Sequence, residues 1–198
     1  VAIFVAEVDT TAGQFREGPV SAPFQPRVVR VAAGLYTDKA DEVAMIDLTI
    51  KPDGWSVPDT MAEIHGTTTE LANKRGIPIK TALSAIVHLA DQAEVLVSYR
   101  AGFLCRVIQG ELERSGVRRH FPPIGQEAKD LVRTSAALCK LRKDKPENPE
   151  DFRLPTLTEA CSIILKDSTI ITDRIHARYA MASSLYLYHG LRGLGALP

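Results

Sequence analysis

The chain has 198 residues, 45% apolar and 24% charged, the balance of a folded globular domain with room for a core of its own. Lys and Arg number 24 and so do Asp and Glu, so no global field draws the protein to nucleic acid or an anionic membrane, and any polyanion contact must come from a local patch. No stretch approaches the ~18 apolar residues of a membrane span, and the apolar N-terminal run is too short, and lacks the basic flank, for a secretory signal.

Residues 1–8 are apolar and β-branched, as in a strand buried on both faces, and lead into Glu7-Val8-Asp9-Thr10-Thr11. Two carboxylates one residue apart in so hydrophobic a stretch have two readings. They are ligands for a metal, or they are the polar end of the strand with a turn capped by Asp9 or the threonines. The segment 14–26, with three prolines and a glycine, reads as a loop. Residues 27–38 and 42–52 are β-rich around the turn Asp38-Lys39-Ala40-Asp41, which makes a hairpin and opens the sheet with three consecutive strands.

Pro58 and Asp59 start a helix that Gly66 stops. Thr67 or Thr68 caps the next, with Glu70 three residues after Thr67 as a capping box. Ile79, Ala82, Ile86 and Leu89 recur at helical spacing over 79–92, residues 93–99 read as a short buried strand, and Phe103 to Leu112 form an amphipathic helix ended by Gly116. The segment 140–153, dense in charge and proline, is expected to be a mobile surface loop, and 156–165 and 174–190 are helical again. Cys105, Cys139 and Cys161 lack a CxxC spacing and read as small buried apolar residues in a reducing, intracellular compartment. Strands followed by alternating helices and strands imply one α/β domain over 1–198, a mixed sheet flanked by helices.

Several strings, in this order, resemble one family. Glu7-Val8-Asp9-Thr10-Thr11-Ala12-Gly13 is similar to the strand ending Asp-x-Glu-Thr-Thr-Gly of the DEDD (DEDDh-type) 3'-5' exonucleases, and Ile64-His65-Gly66-Thr67-Thr68 to their Ile-His-Gly-Ile-Thr. The string VLVSYRAGFL (95–104) resembles the second motif Val-x-His-Asn-x-x-Phe-Asp, LPTLTE (154–159) a Leu-Pro-x-Leu-x-Glu segment, and His176 opens the place of a His-x4-Asp motif. The resemblance runs from residue 3 to about 190. It implies a ribonuclease H-like fold: three antiparallel strands, then parallel ones, flanked by helices. It also implies chemistry in which carboxylates hold two divalent ions that activate a water, with a histidine as general base.

This sequence keeps part of that set. Glu7 and Asp9 stand at the first two ligand positions with the acids exchanged, a displacement on the order of 1.5 Å where a site tolerates about 0.5 Å. Leu104 and Met181 stand where two further carboxylates belong, and neither can ligate a metal. Asp173 is the candidate substitute ligand, His176 is the candidate base or else a helix histidine bonded to a backbone carbonyl, and Tyr179 is not followed by the Asp that a tyrosine-type variant needs. His65 is expected to shape the cleft. Arg100, replacing the neutral Asn, is expected to salt-bridge Glu7 or Asp9 and fill the vacated charge.

The sequence therefore favours an exonuclease-like domain that has lost catalysis and serves as a binding or scaffolding module for nucleic acid, with no cofactor. Two alternatives stand beside it. One is an architectural subunit of a larger assembly, with protein partners. The other is an active, divergent exonuclease using Mg or Mn through Glu7, Asp9, His176 and Asp173. Candidate nucleic-acid contacts are Thr10, Thr11, His65, Arg100, Arg118 and Arg119, with Arg114, His120 and the basic run 140–145 as a further patch, against the alternative that these charges form a solvated face.

Overall fold

The computed structural model describes residues 2–144, 148, 152–166 and 176–197. Five strands, β1 (Ala2–Thr10), β2 (Val28–Thr37), β3 (Glu42–Thr49), β4 (Val95–Ser98) and β5 (Glu127–Asp130), form one sheet in the order β3-β2-β1-β4-β5. The β1–β2 and β2–β3 pairings are antiparallel, whereas β1–β4 and β4–β5 are parallel. This is the mixed sheet expected from the sequence.

The helices are α1 (Asp59–His65), α2 (Thr69–Arg75), α3 (Ile79–Ala90), α4 (Ala101–Arg114), α5 (Leu131–Cys139), α6 (Leu157–Ala160) and α7 (Ala177–Gly193). A π-helical turn, Cys161–Leu165, continues α6. Strand β1 is apolar almost throughout because both its faces are covered. Phe4 and Ala6 pack with Leu83, Ile86, Leu104 and Ile108 of α3 and α4, while Ile3 and Val5 pack with residues of α5, α6 and α7.

Several local expectations change. β1 runs on to Thr10, two residues past the expected 1–8, so Asp9 as well as Glu7 lies within the last residues of the strand. Thr68, not Thr67, caps α2, its hydroxyl accepting from Leu71 N at 3.1 Å; the capping box of this protein is Thr156 with Glu159. Strand β5 and helix α5 were not anticipated, because Glu-Ala-Lys-Asp carries no apolar run and β5 is an edge strand. The ends of segment 140–153 are tied together by an Arg142–Phe152 bridge and a bond from Arg153 N to Leu141 O (2.8 Å). Most of the segment between them, and residues 174–175 of the expected last helix, lie outside the described residues. None of the three cysteines forms a disulfide; Cys161 is fully buried, whereas Cys105 and Cys139 are only partly so, against the expectation that all three are buried. Among the described residues no helix is long and apolar enough to cross a membrane.

Candidate functional site

Side chains alternate along a strand, so Ile3, Val5, Glu7 and Asp9 share the face of β1 covered by α7. On α7, Ala177, Met181, Ser184 and Tyr188 recur at intervals of three to four and form the buried stripe that meets it. Two polar groups on that helix answer the two carboxylates. Ser184 Oγ donates to Glu7 Oε1 at 2.7 Å, and the Ala177 N–H donates to Asp9 Oδ2 at 3.1 Å. Tyr99 N, just past β4, donates to Glu7 Oε1 at 2.5 Å. The free N–H groups and dipole at the start of α7 thus face Asp9. Met181 lies on the same stripe, between the two residues that hold the acids, and is 3% exposed.

Burial dominates the electrostatics. It pushes the Glu7 carboxyl up to about 7, against the Tyr99 N–H and the Ser184 hydroxyl, which favour the anion. It lifts Asp9 to about 7 as well, opposed by the Ala177 N–H and by the guanidinium of Arg30, with Asp47 and Glu7 adding repulsion. Arg30 is the cross-strand partner of Asp9 on β2 and forks onto Asp47 of β3, with Nε to Oδ1 at 2.7 Å and Nη2 to Oδ2 at 2.6 Å. Arg178, on the first turn of α7, reaches Asp47 at 4.0 Å.

The expected partner of the acids, Arg100, plays no such part. It is exposed, donates to Gly13 O at 3.3 Å and lies 4.7 Å from the Phe103 ring centroid. Among the described residues it makes no ion pair; Arg30, from the neighbouring strand, supplies the positive charge near Asp9. Lone charges inside the apolar strands RVVRVAAG and AMIDLT were the available signal for Arg30 and Asp47, because a charge survives there only with a partner. Ser184 carried no such signal.

At the C-terminal ends of β1 and β4, a cleft of about 310 Å³ brings Glu7, Asp9, Thr10, His65, Arg100 and Leu104 together. Leu104 is 1% exposed and belongs to the apolar core beside α3. His65, 4% exposed, accepts from Thr67 N at its Nδ1 (3.2 Å), so its Nε2 carries the proton. That Nε2 is buried without a well-aligned partner, although the Thr10 backbone lies near enough to favour protonation, and burial holds the ring below its ordinary value. Thr10 Oγ1 donates to Ala12 O (2.8 Å) and Thr11 Oγ1 accepts from Arg27 N (3.0 Å), so both hydroxyls bind the local chain.

His176 is the residue before α7, its ring 4.4 Å from that of Tyr179. It is not bonded to a backbone carbonyl as the structural alternative expected: among the described residues its Nδ1 has no partner. Burial, and then the Arg30 charge, keep this ring below its usual value. Asp173 lies outside the described residues. The basic patch stands apart from the cleft. Arg118 and Arg119 follow the far end of α4, which at 1.5 Å per residue places them roughly 20 Å along from its start. Arg119 pairs with Asp91, and Arg114 turns inward to Glu111 and the carbonyls of Val20 and Pro26.

The donor set does not fit a pair of divalent ions. Hard cations want several oxygen ligands; here Glu7 and Asp9 both accept from protein donors, Asp130 lies near enough to Glu7 to repel its charge, and the two further expected ligand positions hold Leu104 and Met181. Among the described residues no three His, Cys, Asp or Glu side chains gather closely enough to hold a metal ion.

Against solved structures, the whole architecture has clear counterparts. It matches E. coli Exonuclease I in complex with a dA16 oligonucleotide at a TM-score of 0.71 and 15% identity, over 97% of this chain and 41% of that one. The zinc-bound form of the E. coli ExoI–ssDNA complex gives 0.73 and 15%, over 97% and 40%, and a moderately thermophilic Exonuclease I from Methylocaldum szegediense gives 0.68 and 14%, over 97% and 40%. The fold is ribonuclease H-like. At this identity the likeness carries the fold alone, and the chain spans about 40% of the length of those exonucleases. No known family profile and no curated protein matches the sequence.

Proposed function

We propose that this chain is an exonuclease-like domain that binds single-stranded nucleic acid at the C-terminal edge of its sheet and no longer cuts it. One observation carries the reading: the two further expected ligand positions are held by Leu104 and Met181, apolar side chains 1% and 3% exposed. With two carboxylates instead of four at these positions, the cleft lacks the negative charge that gathers a pair of cations, and without them neither water activation nor relief of the phosphate charge is available. Support for nucleic acid as the ligand comes from the fold shared with structures that hold dA16 and other oligonucleotides.

The test has two arms. Labelled single-stranded DNA and RNA incubated with the pure protein and Mg²⁺ or Mn²⁺ remain full length, and Mn²⁺ leaves the thermal midpoint where it was. Binding of the same oligonucleotides weakens as salt rises, the mark of phosphate contacts. Stepwise release of nucleotides overturns the loss of catalysis; absence of any salt-dependent binding overturns the ligand.

A further inference from the structure

A second cavity, of about 420 Å³, opens between the end of β3, the start of α3 and the end of α4 and shares no lining residue with the cleft. Its size is that of a small-molecule site. Ile50, Pro52 and Ile79 give it an apolar wall, and Trp55, the single tryptophan of the chain, stands half-buried in that wall. The Arg27 guanidinium lies 5.5 Å from the Trp55 ring centroid.

Charge is distributed unevenly around this opening. Four cationic side chains line it against two carboxylates. One of those carboxylates, Glu111, is 1% exposed and already answered from within the wall by Arg27 Nε (2.9 Å), Val28 N (3.0 Å) and Arg114 (3.1 Å). The second carboxylate, Asp53, is exposed, as are the two remaining cations, Lys51 and Lys80, which make no ion pair among the described residues, so the exposed rim carries one net positive charge. The cavity thus joins an aromatic face to a pair of uncommitted ammonium groups.

We infer that this cavity is a nucleotide-binding site, taking a base against Trp55 and a phosphate between Lys51 and Lys80. A planar π-system stacks on an indole whatever its sequence, and ammonium groups at the rim answer the phosphate. The same chemistry is offered by a free nucleotide and by one unit of a single strand. The inference does not depend on what the Glu7–Asp9 cleft does.

Because Trp55 is the only tryptophan, its emission, excited at the red edge where the five tyrosines do not absorb, reads this site alone. The protein is titrated at low salt with dTMP and, separately, with a thymidine oligonucleotide. Saturable quenching is expected. Quenching by both ligands at similar concentration makes the ligand a free nucleotide, and quenching by the oligonucleotide alone makes it a strand; either outcome supports the site. The double change Lys51→Glu and Lys80→Glu, both at exposed positions, weakens quenching about tenfold and lowers the salt slope by about one for each phosphate no longer neutralised. Trp55→Phe, followed by anisotropy of the labelled ligand, weakens binding on the order of tenfold. No quenching by either ligand, or quenching unaltered in the lysine variant, overturns the inference. Binding seen by anisotropy without quenching overturns it while leaving the cleft as the binding site.

Discussion

Replacing Glu7 with glutamine tests whether this carboxylate is buried for want of a cation. Its titration point rises from 4.5 to about 7 on folding. The folded state therefore holds the proton more tightly than the unfolded chain. Stability is fully present below about pH 4.5 and is lost as pH climbs through about 7. At about 1.4 kcal/mol per pH unit the loss reaches about 3.5 kcal/mol. Glu7 is only half-buried, and water entering the cleft solvates part of the charge, so about 1.5 to 3 kcal/mol is the expected range, on the order of one strong buried interaction. A glutamine side chain here would keep an oxygen to accept from Tyr99 N and cannot ionise. Urea denaturation in cation-free buffer should show the wild type losing that amount between about pH 5 and 8.5, with Asp9 adding loss of the same sign, while Glu7→Gln loses markedly less and exceeds the wild type at the alkaline end. Parallel pH profiles for the two proteins would refute the reasoning. If Mn²⁺ restores the wild type at alkaline pH and not the variant, the cleft is a cation site and the proposed loss of catalysis falls with it.

Restoring acids through Leu104→Asp with Met181→Asp should lower the midpoint in metal-free buffer, each buried carboxylate costing about 2 to 4 kcal/mol. Mn²⁺ should then raise the midpoint of the variant alone; an equal rise in the wild type would show that these two residues do not exclude cations. Arg30→Ala strips Asp47 of its two-point partner and Asp9 of its nearest cation, an expected loss of about 1 to 3 kcal/mol in chemical denaturation, with Arg30→Lys recovering only part because an ammonium cannot fork. A loss below about 0.5 kcal/mol would mean the pair behaves as a surface one. Glu111→Gln leaves Arg27 and Arg114 without their shared anion and should cost about 2 to 4 kcal/mol by the same measurement, loosening the segment that Arg114 ties down at Val20 O and Pro26 O. An unchanged midpoint would show that those carbonyls hold the guanidiniums unaided.

The sheet and most helices were legible because their signals are local. The apolar run of β1, the hairpin at Asp38–Asp41 and the spacing of Ile79, Ala82, Ile86 and Leu89 each follow from a period of two or of about 3.6. The edge strand β5 escaped because a four-residue strand with three charged side chains at a sheet margin needs no apolar pattern, and α5 escaped with it. Of the candidate site residues, the fold gathers Glu7, Asp9, His65, Arg100 and Leu104 along one cleft and sets Met181 on the buried stripe of α7.

What each of those residues bonds to was not. Arg100 looked like the partner of the acids because it is a charge in a motif, yet it turns to Gly13 O and Phe103, while Arg30, which belongs to no motif, stands across from Asp9. The amino-acid order by itself determined most of the extended and helical segments, β5 and α5 excepted, and put Glu7 and Asp9 at the polar end of β1, since backbone periodicity and side-chain chemistry act over a few residues. Only the tertiary structure decided which donors meet Glu7 and Asp9 and how deeply they are buried. Hydrogen bonding and desolvation act over a few ångströms in space, between Asp9 and Ala177 or Glu7 and Ser184, across a distance along the chain that no local pattern spans.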